Sequence, residues 1–395
     1  FEYPYFAFGV LIVNNIPFHG NQTITPYWPN GLINPKLSWE ETKQFDAGLD
    51  LEFFGNRLSL ELDYYYRYTD KLLAQVTLPG DYNAYTAQWQ NAYAISNQGI
   101  ELQIKADLIR SEKLHWDFSF NIARNWNRFE KSNNGMDFTN LASKHNLNII
   151  GKPLNGIYVY NDEGYYNSQD EVPLYYVNGR RKYLSSLGNQ IYSPGDRRIQ
   201  DVDGNGQVAT MVPLLEDRVY GGSPLPLAFG GIASTLKWKG IDVNLLFSYK
   251  LGRHVLNAGR GASVGTILRA NTAEMMVPIL ADLDKVSFWQ KPGDNTDFPI
   301  NELENGKNNF ATNLKSNVEK INYLKLKSIS IGYILPVFPK QSKHYARVFM
   351  SVENVFTITN SSSPDPESID IVTGVDSNNN YPLATRFTLG LTLNL

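Results

Sequence analysis

The residues best spaced to do chemistry in this chain are Asp201-x-Asp203-x-Asn205-Gly206. They place oxygen donors at every second position and a glycine at the sharp turn, as positions 1, 3, 5 and 6 of a Ca2+-binding loop do. Gln207 would add its backbone carbonyl at position 7. Position 12 is Val212 rather than a bidentate Glu, so Glu216 or Asp217 must supply the missing carboxylate from a longer loop. The spacing predicts a Ca2+ site of Asp201, Asp203, Asn205, Gln207 and Asp217. A glycine-rich turn held by Asx hydrogen bonds explains the same residues without an ion.

A second group is aromatic: Tyr82, Tyr85 and Trp89; Tyr165 and Tyr166; Tyr175 and Tyr176. Each cluster sits in a long polar stretch. Flat rings stack on sugar faces and on peptides alike, so these residues are expected to touch a substrate of either class. Packing of long loops against each other or under a lid would use the same rings.

No catalytic constellation accompanies them. His19, His115, His145, His254 and His344 lie in separate segments without His-x-x-x-His spacing, and Gly-x-Ser-x-Gly is absent. Gly259-Arg-Gly-Ala-Ser-Val-Gly265 lacks the Lys-Ser/Thr end of a phosphate loop. Acidic pairs such as Asp162/Glu163 and Asp170/Glu171 read as solvated loop charges. The chain is expected to be a binding or transport protein and not an enzyme.

The elements that must hold these groups are strands. Leu58, Leu60, Leu62, Tyr64, Tyr66 and Tyr68 share one face of Arg57–Tyr68, opposite Ser59, Glu61, Asp63 and Arg67. The same period-two alternation runs through Gly99–Ile109, Leu114–Asn125 and Ile241–Leu251, each about 9–11 residues, the length that crosses a tilted barrel wall. Weaker candidates are Lys43–Phe54, Phe229–Trp238, Tyr323–Ile334, Tyr345–Ile358 and Ala384–Leu395. Parity slips near Lys327-Ser328, which a β-bulge would explain. That makes nine strands, an odd number, where single-chain bacterial barrels close with an even one. The chain therefore reads as part of a barrel, with 1–42 as an outer loop or a partial strand.

Connections alternate in length. Tight turns fall at Gly55-Asn56, Ser111–Lys113 and Lys239-Gly240, with a looser one at Pro336–Lys343. Long excursions cover 69–97, 126–228, 252–322 and 359–383. Short turns on one side and long loops on the other are the habit of an outer-membrane β-barrel. Tyr, Phe and Trp make up 13% of the chain, and aromatic girdles at both interfaces would use many of them. Net charge is −3 with Lys and Arg scattered, which argues against a nucleic-acid partner. The absence of Cys excludes disulfides, thiolate metal sites and Cys nucleophiles. The first residues, Phe1-Glu-Tyr-Pro-Tyr5, show no signal-peptide pattern.

Several motifs then occur in a fixed order. They are Asn34-Pro-Lys-Leu-Ser-Trp-Glu-Glu-Thr42, Phe53-Phe-Gly-Asn-Arg57, Asn97-Gln-Gly-Ile-Glu101, Ser193-Pro-Gly-Asp196 and Asp201–Gly206. Glu216–Pro226, Trp289-x-x-Pro-Gly-Asp294, Tyr323-Leu-Lys-Leu-Lys327, Glu353–Thr359, Asp365-Pro-Glu367 and Arg386–Leu391 follow. From about Asn34 onward the chain resembles the SusC/RagA-like class of TonB-dependent transporters. It departs at Lys325, where the class usually has Arg, and at Leu395, where it usually ends in Phe.

The resemblance implies an all-β fold: the C-terminal part of a ~22-stranded antiparallel barrel in the outer membrane, with the plug domain outside this chain. It also implies TonB-dependent uptake of oligosaccharides or peptides with a SusD-like surface lipoprotein as lid. The expected partners are that lipoprotein, the N-terminal plug and barrel half of the same transporter, the TonB complex and outer-membrane lipid. Two other functions fit the residues alone: a passive porin or receptor barrel without energy coupling, and a soluble carbohydrate-binding β protein.

Overall fold

The computed structural model describes residues 16–18, 22–24, 34–77, 87–132, 138–139, 145–177, 179–186, 189–208, 217–260, 287–300, 313–336, 345–377 and 381–394. Nine long strands dominate: β1 (Glu41–Phe53), β2 (Leu58–Thr77), β3 (Ala87–Arg110), β4 (Leu114–Ser132), β5 (Ala228–Trp238), β6 (Ile241–Asn257), β7 (Val318–Leu335), β8 (Tyr345–Thr359) and β9 (Arg386–Asn394). Each pairs antiparallel with its neighbour in chain order, so the sheet is a continuous meander. Among the described residues the outer edges of β1 and β9 pair with no other strand, and the sheet is open.

The period-two pattern decides which face is which. Leu49, Leu62, Ile100, Ile331, Met350, Phe387, Leu389 and Leu391 are all exposed. Their opposite parity carries Asp50, Glu61, Gln103, Asn121, Ser248 and Lys325, paired across the sheet in register. A sheet with an exposed apolar face and a polar face is the wall of a barrel seen from lipid and from lumen. Among the described residues no helix is long and apolar enough to cross a membrane, which is silent about spanning strands.

The tight turns have local causes. At Lys239-Gly240 both central residues have positive φ, 48° and 88°, the type I′ geometry that matches strand twist. Ser111 closes the β3–β4 turn by exchanging hydrogen bonds with Leu114. The parity slip at Lys327 is a bulge. Leu326 pairs with Phe247 and Ser328 with Leu246, which leaves Lys327 unopposed by β6.

The long strands run further than the sequence pattern does. β2 continues to Thr77 and β3 starts at Ala87, so most of the span read as loop 69–97 is strand. β4 extends to Ser132, β6 to Asn257, and β7 starts at Val318, inside the spans read as loops 126–228 and 252–322. At ~3.3 Å per residue the 24-residue β3 is roughly 80 Å long, well beyond a bilayer. Within 1–42, Ile16–Phe18 pairs with Gln22–Ile24 as a short hairpin. The connection 337–344 lies outside the described residues.

Compact packing begins only beyond the apolar band. Val76, Ala92, Tyr93 and Phe129 form a buried cluster on the projecting ends of β2–β4. The excursion between β4 and β5 folds into a unit of short strands around a core of Tyr160, Tyr166, Val172, Leu184, Tyr192, Ile199 and Val208, to which the β6–β7 connection adds Leu314. A third cluster of Ile157, Val159, Leu256 and Ala258 joins that unit to β6.

Candidate functional site in the long connections

The carboxylate loop is tightly wound. Asp201 accepts from the backbone N–H of Gly204 and of Gly206, both at 2.8 Å. Asp203 accepts from the Asn205 N–H at 3.0 Å, and Asn205 from the Gln207 N–H at 2.7 Å. Asp217, fully buried, accepts from the Val202 N–H at 2.9 Å. Carboxylate oxygens of Asp201, Asp203 and Asp217 lie within 4.8 Å of one another. The longer loop thus brings Asp217 to the group, while Val212 and Glu216 lie outside the described residues. The donors are all oxygen, which suits a hard cation such as Ca2+. The same N–H bonds also make the Asx turns that hold the loop without one. Tyr175 lies over Gly206, and burial, then the Asp201 charge and its hydrogen bond, push its phenol up to about 12.

The aromatic candidates fall in different places. Tyr82 and Tyr85 lie outside the described residues. Trp89 is 44% exposed on β3, where its carbonyl accepts from Asn34. Tyr176 is 69% exposed on the hairpin Leu174–Val177/Arg180–Tyr183, and its hydroxyl accepts from Arg181 at 2.7 Å. Tyr166 is 1% exposed and tilts against Tyr192 in the core of the folded unit, where burial pushes its phenol up to about 12. A ring so placed packs the loop and offers no face to a ligand.

Tyr165 lines a cleft of about 500 Å3 between the two longest connections. Asp162, Glu163, Arg197 and Arg198 come from one connection, and Arg260, Asp297 and Phe298 from the other. The Tyr165 hydroxyl donates to the Thr296 carbonyl at 3.1 Å, and the Arg197 guanidinium sits 5.5 Å from its ring centroid. Arg197 is paired with Asp162 at 3.0 Å, both nearly buried, and Arg260 with Asp297 at 3.2 Å. Fixed cations, carboxylates and amides around one ring can hydrogen-bond a polar ligand from several directions. Sequence reasoning missed the arginines of this cleft, because nothing in their local sequence links one connection to the other.

Two further contacts position the connections. A Cβ on Gly195 would stand 2.6 Å from the Trp289 ring, and Ile300 N–H donates to the Gly195 carbonyl at 2.9 Å. The Pro-Gly-Asp motif of one connection is therefore the seat of the Trp-x-x-Pro-Gly-Asp motif of the other. The last connection, 360–377, is strapped to the polar face of the wall. Lys325 pairs with Asp365 at 2.9 Å and Glu367 at 3.0 Å, and Lys327 with Glu367 at 2.9 Å. Arg253, 1% exposed, donates to the carbonyls of Pro224 at 2.9 Å and Asp370. Val375–Asp376 adds a short parallel strand beside Leu256–Asn257.

The family model for the TonB-dependent receptor-like β-barrel matches residues 3–259, more than half of the chain. The chain belongs to the TonB-dependent receptor β-barrel family. Its open wall is thus that of an outer-membrane barrel. It is 29% identical to the TonB-dependent receptor P3 of Formosa agariphila over 95% of this chain and 36% of that receptor. It is 25% identical to the TonB-dependent receptor SusC of Bacteroides thetaiotaomicron over 91% of this chain and 32% of SusC. The chain spans about a third of the length of these curated relatives. Among solved structures it resembles the RagAB peptide transporter, with a TM-score of 0.69 and 23% identity, over 98% of this chain and 38% of that one. At that identity the likeness establishes the fold alone: the described sheet is a barrel wall of the kind found in that transporter.

Proposed function

We propose that this chain forms the C-terminal wall and outer platform of a TonB-dependent outer-membrane importer. In this reading it takes up oligosaccharides or peptides beneath a SusD-like surface lipoprotein. The observation that carries the reading is the pairing of an open, lipid-facing wall with folded long connections that enclose a polar cleft. The open edges of β1 and β9 call for further strands to close the barrel, which the N-terminal half of the same transporter would supply. The relatives' names, the TonB-dependent receptor SusC and the RagAB peptide transporter, support an energised importer and a peptide among its cargo.

In mechanism the chain is a scaffold. The polar face of the wall lines the lumen, and the Tyr165 cleft contacts cargo on the outer side. Energy enters through the plug and TonB box of the N-terminal half. Asp201, Asp203, Asn205, Gln207 and Asp217 would hold a Ca2+ that stiffens the folded unit beside the cleft, its positive charge offsetting three clustered carboxylates.

The test is purification of the transporter from native outer membranes in detergent, with peptide mapping of everything that co-purifies. Plug and TonB-box peptides contiguous with this chain, together with a large lipoprotein, support the proposal. A barrel carrying neither would overturn it in favour of a passive pore or receptor.

A further inference from the structure

Among the described residues a second group of metal-ligating side chains converges far from the long connections. Asp107 on β3 and His115 and Asp117 on β4 bring one ligand atom each to within 4.8 Å of the others. They flank the tight Ser111–Lys113 turn, on the polar face of the wall and at the end where the connections are short. Asp107 and Asp117 stand directly opposite each other in the β3–β4 register. Like charges in that position destabilise a strand pair, so something must neutralise them.

The surrounding cations do so incompletely. His115 Nε2 lies 2.9 Å from Asp117 Oδ1. Arg110 reaches Asp107 only at 3.6 Å, with its side chain 61% exposed, so solvent screens it. Arg57 donates to the Asp107 carbonyl, not to its carboxylate. Lys237 on β5 is the register partner of His115 and is exposed, while Thr235 is opposite Asp117. The two carboxylates and the imidazole are each partly accessible. They are held by a hairpin whose β3–β4 pairing shifts register between Asp107 and Ile109, just beside the site.

We infer that Asp107, His115 and Asp117 form a binding site for a first-row divalent transition-metal ion that clamps the β3–β4 hairpin at the rim of the lumen. One imidazole nitrogen and two carboxylate oxygens leave the charge of a divalent ion balanced. Ligand atoms sit about 2.0–2.2 Å from such an ion, so small side-chain rotations close the observed spread. Three protein ligands leave coordination positions open to water. The imidazole separates this site from the all-oxygen loop at Asp201, which suits a harder cation. Local sequence shows only part of it: His115 and Asp117 share one face of β4, and Asp107 joins them only across the turn.

The experiment uses the full-length transporter, purified in detergent and stripped with chelator. Co2+ is titrated and followed by its visible absorption, with Zn2+ competition. The expected result is one Co2+ equivalent whose spectrum is displaced by Zn2+, weakened at least tenfold in both His115→Ala and the near-isosteric Asp117→Asn, and unchanged in Asp203→Ala. Heat-modifiable gel mobility verifies that each variant is folded. If the wild-type protein takes up no Co2+, the carboxylates share a proton only and the inference is overturned. Equal binding in wild type, His115→Ala and Asp117→Asn overturns it as well.

Discussion

Gly195 lies under the indole of Trp289, so close that a Cβ there would meet the ring at 2.6 Å, and its φ of +89° is one that L side chains rarely adopt. This contact joins the two longest connections and sets one wall of the cleft. Gly195→Ala is expected to destabilise that joint by roughly 2–4 kcal/mol, combining left-handed strain with overpacking. Limited proteolysis should cut the 145–222 and 287–300 regions several-fold faster in the variant, with the wall still resistant. Unchanged cleavage would mean that the ring moves aside at no cost.

The strap rests on a buried ion cluster. The Lys325 and Asp365 side chains are 3% and 6% exposed. Lys325→Met strands the carboxylates and is expected to cost the strap about 3–5 kcal/mol, whereas Lys325→Arg should retain most of it, since a guanidinium can reach the same oxygens. Protease sensitivity of 360–377 in the two variants checks the ranking.

The same cluster has a pH signature. Burial alone would raise the Asp365 carboxyl, but hydrogen bonds from Lys325 and from the Glu367 and Leu383 N–H groups outweigh it and hold it below the ordinary carboxylate range. Glu367 is held low in the same way by Lys327 and Lys325, against burial. Groups depressed on folding contribute stability that is complete above the unfolded pKa, about 4, and lost as pH falls through the folded values. This chain has no Cys of its own, so Val372→Cys gives a single label site on the strap. A spin label there should keep constant mobility from pH 7 to 5 and loosen only below about pH 4. Loosening already between pH 7 and 5 would contradict the assignment.

The carboxylate loop separates its two readings by chelation. If Ca2+ binds, adding it should slow cleavage of the 201–217 loop in the native sequence, and Asp203→Ala should abolish the response. A turn held only by Asx hydrogen bonds would show no response to Ca2+ or chelator in either protein.

Much of this architecture is legible in the sequence where lipid imposes a period. The alternation in Ile241–Leu251 and the turn at Lys239-Gly240 mark β6 and its hairpin directly. Beyond the apolar band that constraint vanishes. Gln88-Trp-Gln-Asn-Ala-Tyr93 shows no alternation, yet it is strand, because backbone pairing with β2 and the small core of Val76, Ala92, Tyr93 and Phe129 decide it. The cleft was not legible at all. Tyr165 and Thr296 are 131 positions apart, and only the fold of two connections brings them together. Tyr166 illustrates the reverse: beside Tyr165 in sequence, it alternates inward to the core.

Long connections outside and tight turns inside the cell envelope give the chain a sidedness that labelling can read. Single cysteines at Tyr176 in the long connection and at Glu112 in the tight turn, each introduced into the full-length transporter, would be probed on intact cells with a membrane-impermeant maleimide. With the long connections outside and the tight turns inside, Tyr176→Cys is labelled at once and Glu112→Cys only after the outer membrane is permeabilised. Labelling of Glu112→Cys on intact cells, with Tyr176→Cys protected, would contradict that sidedness.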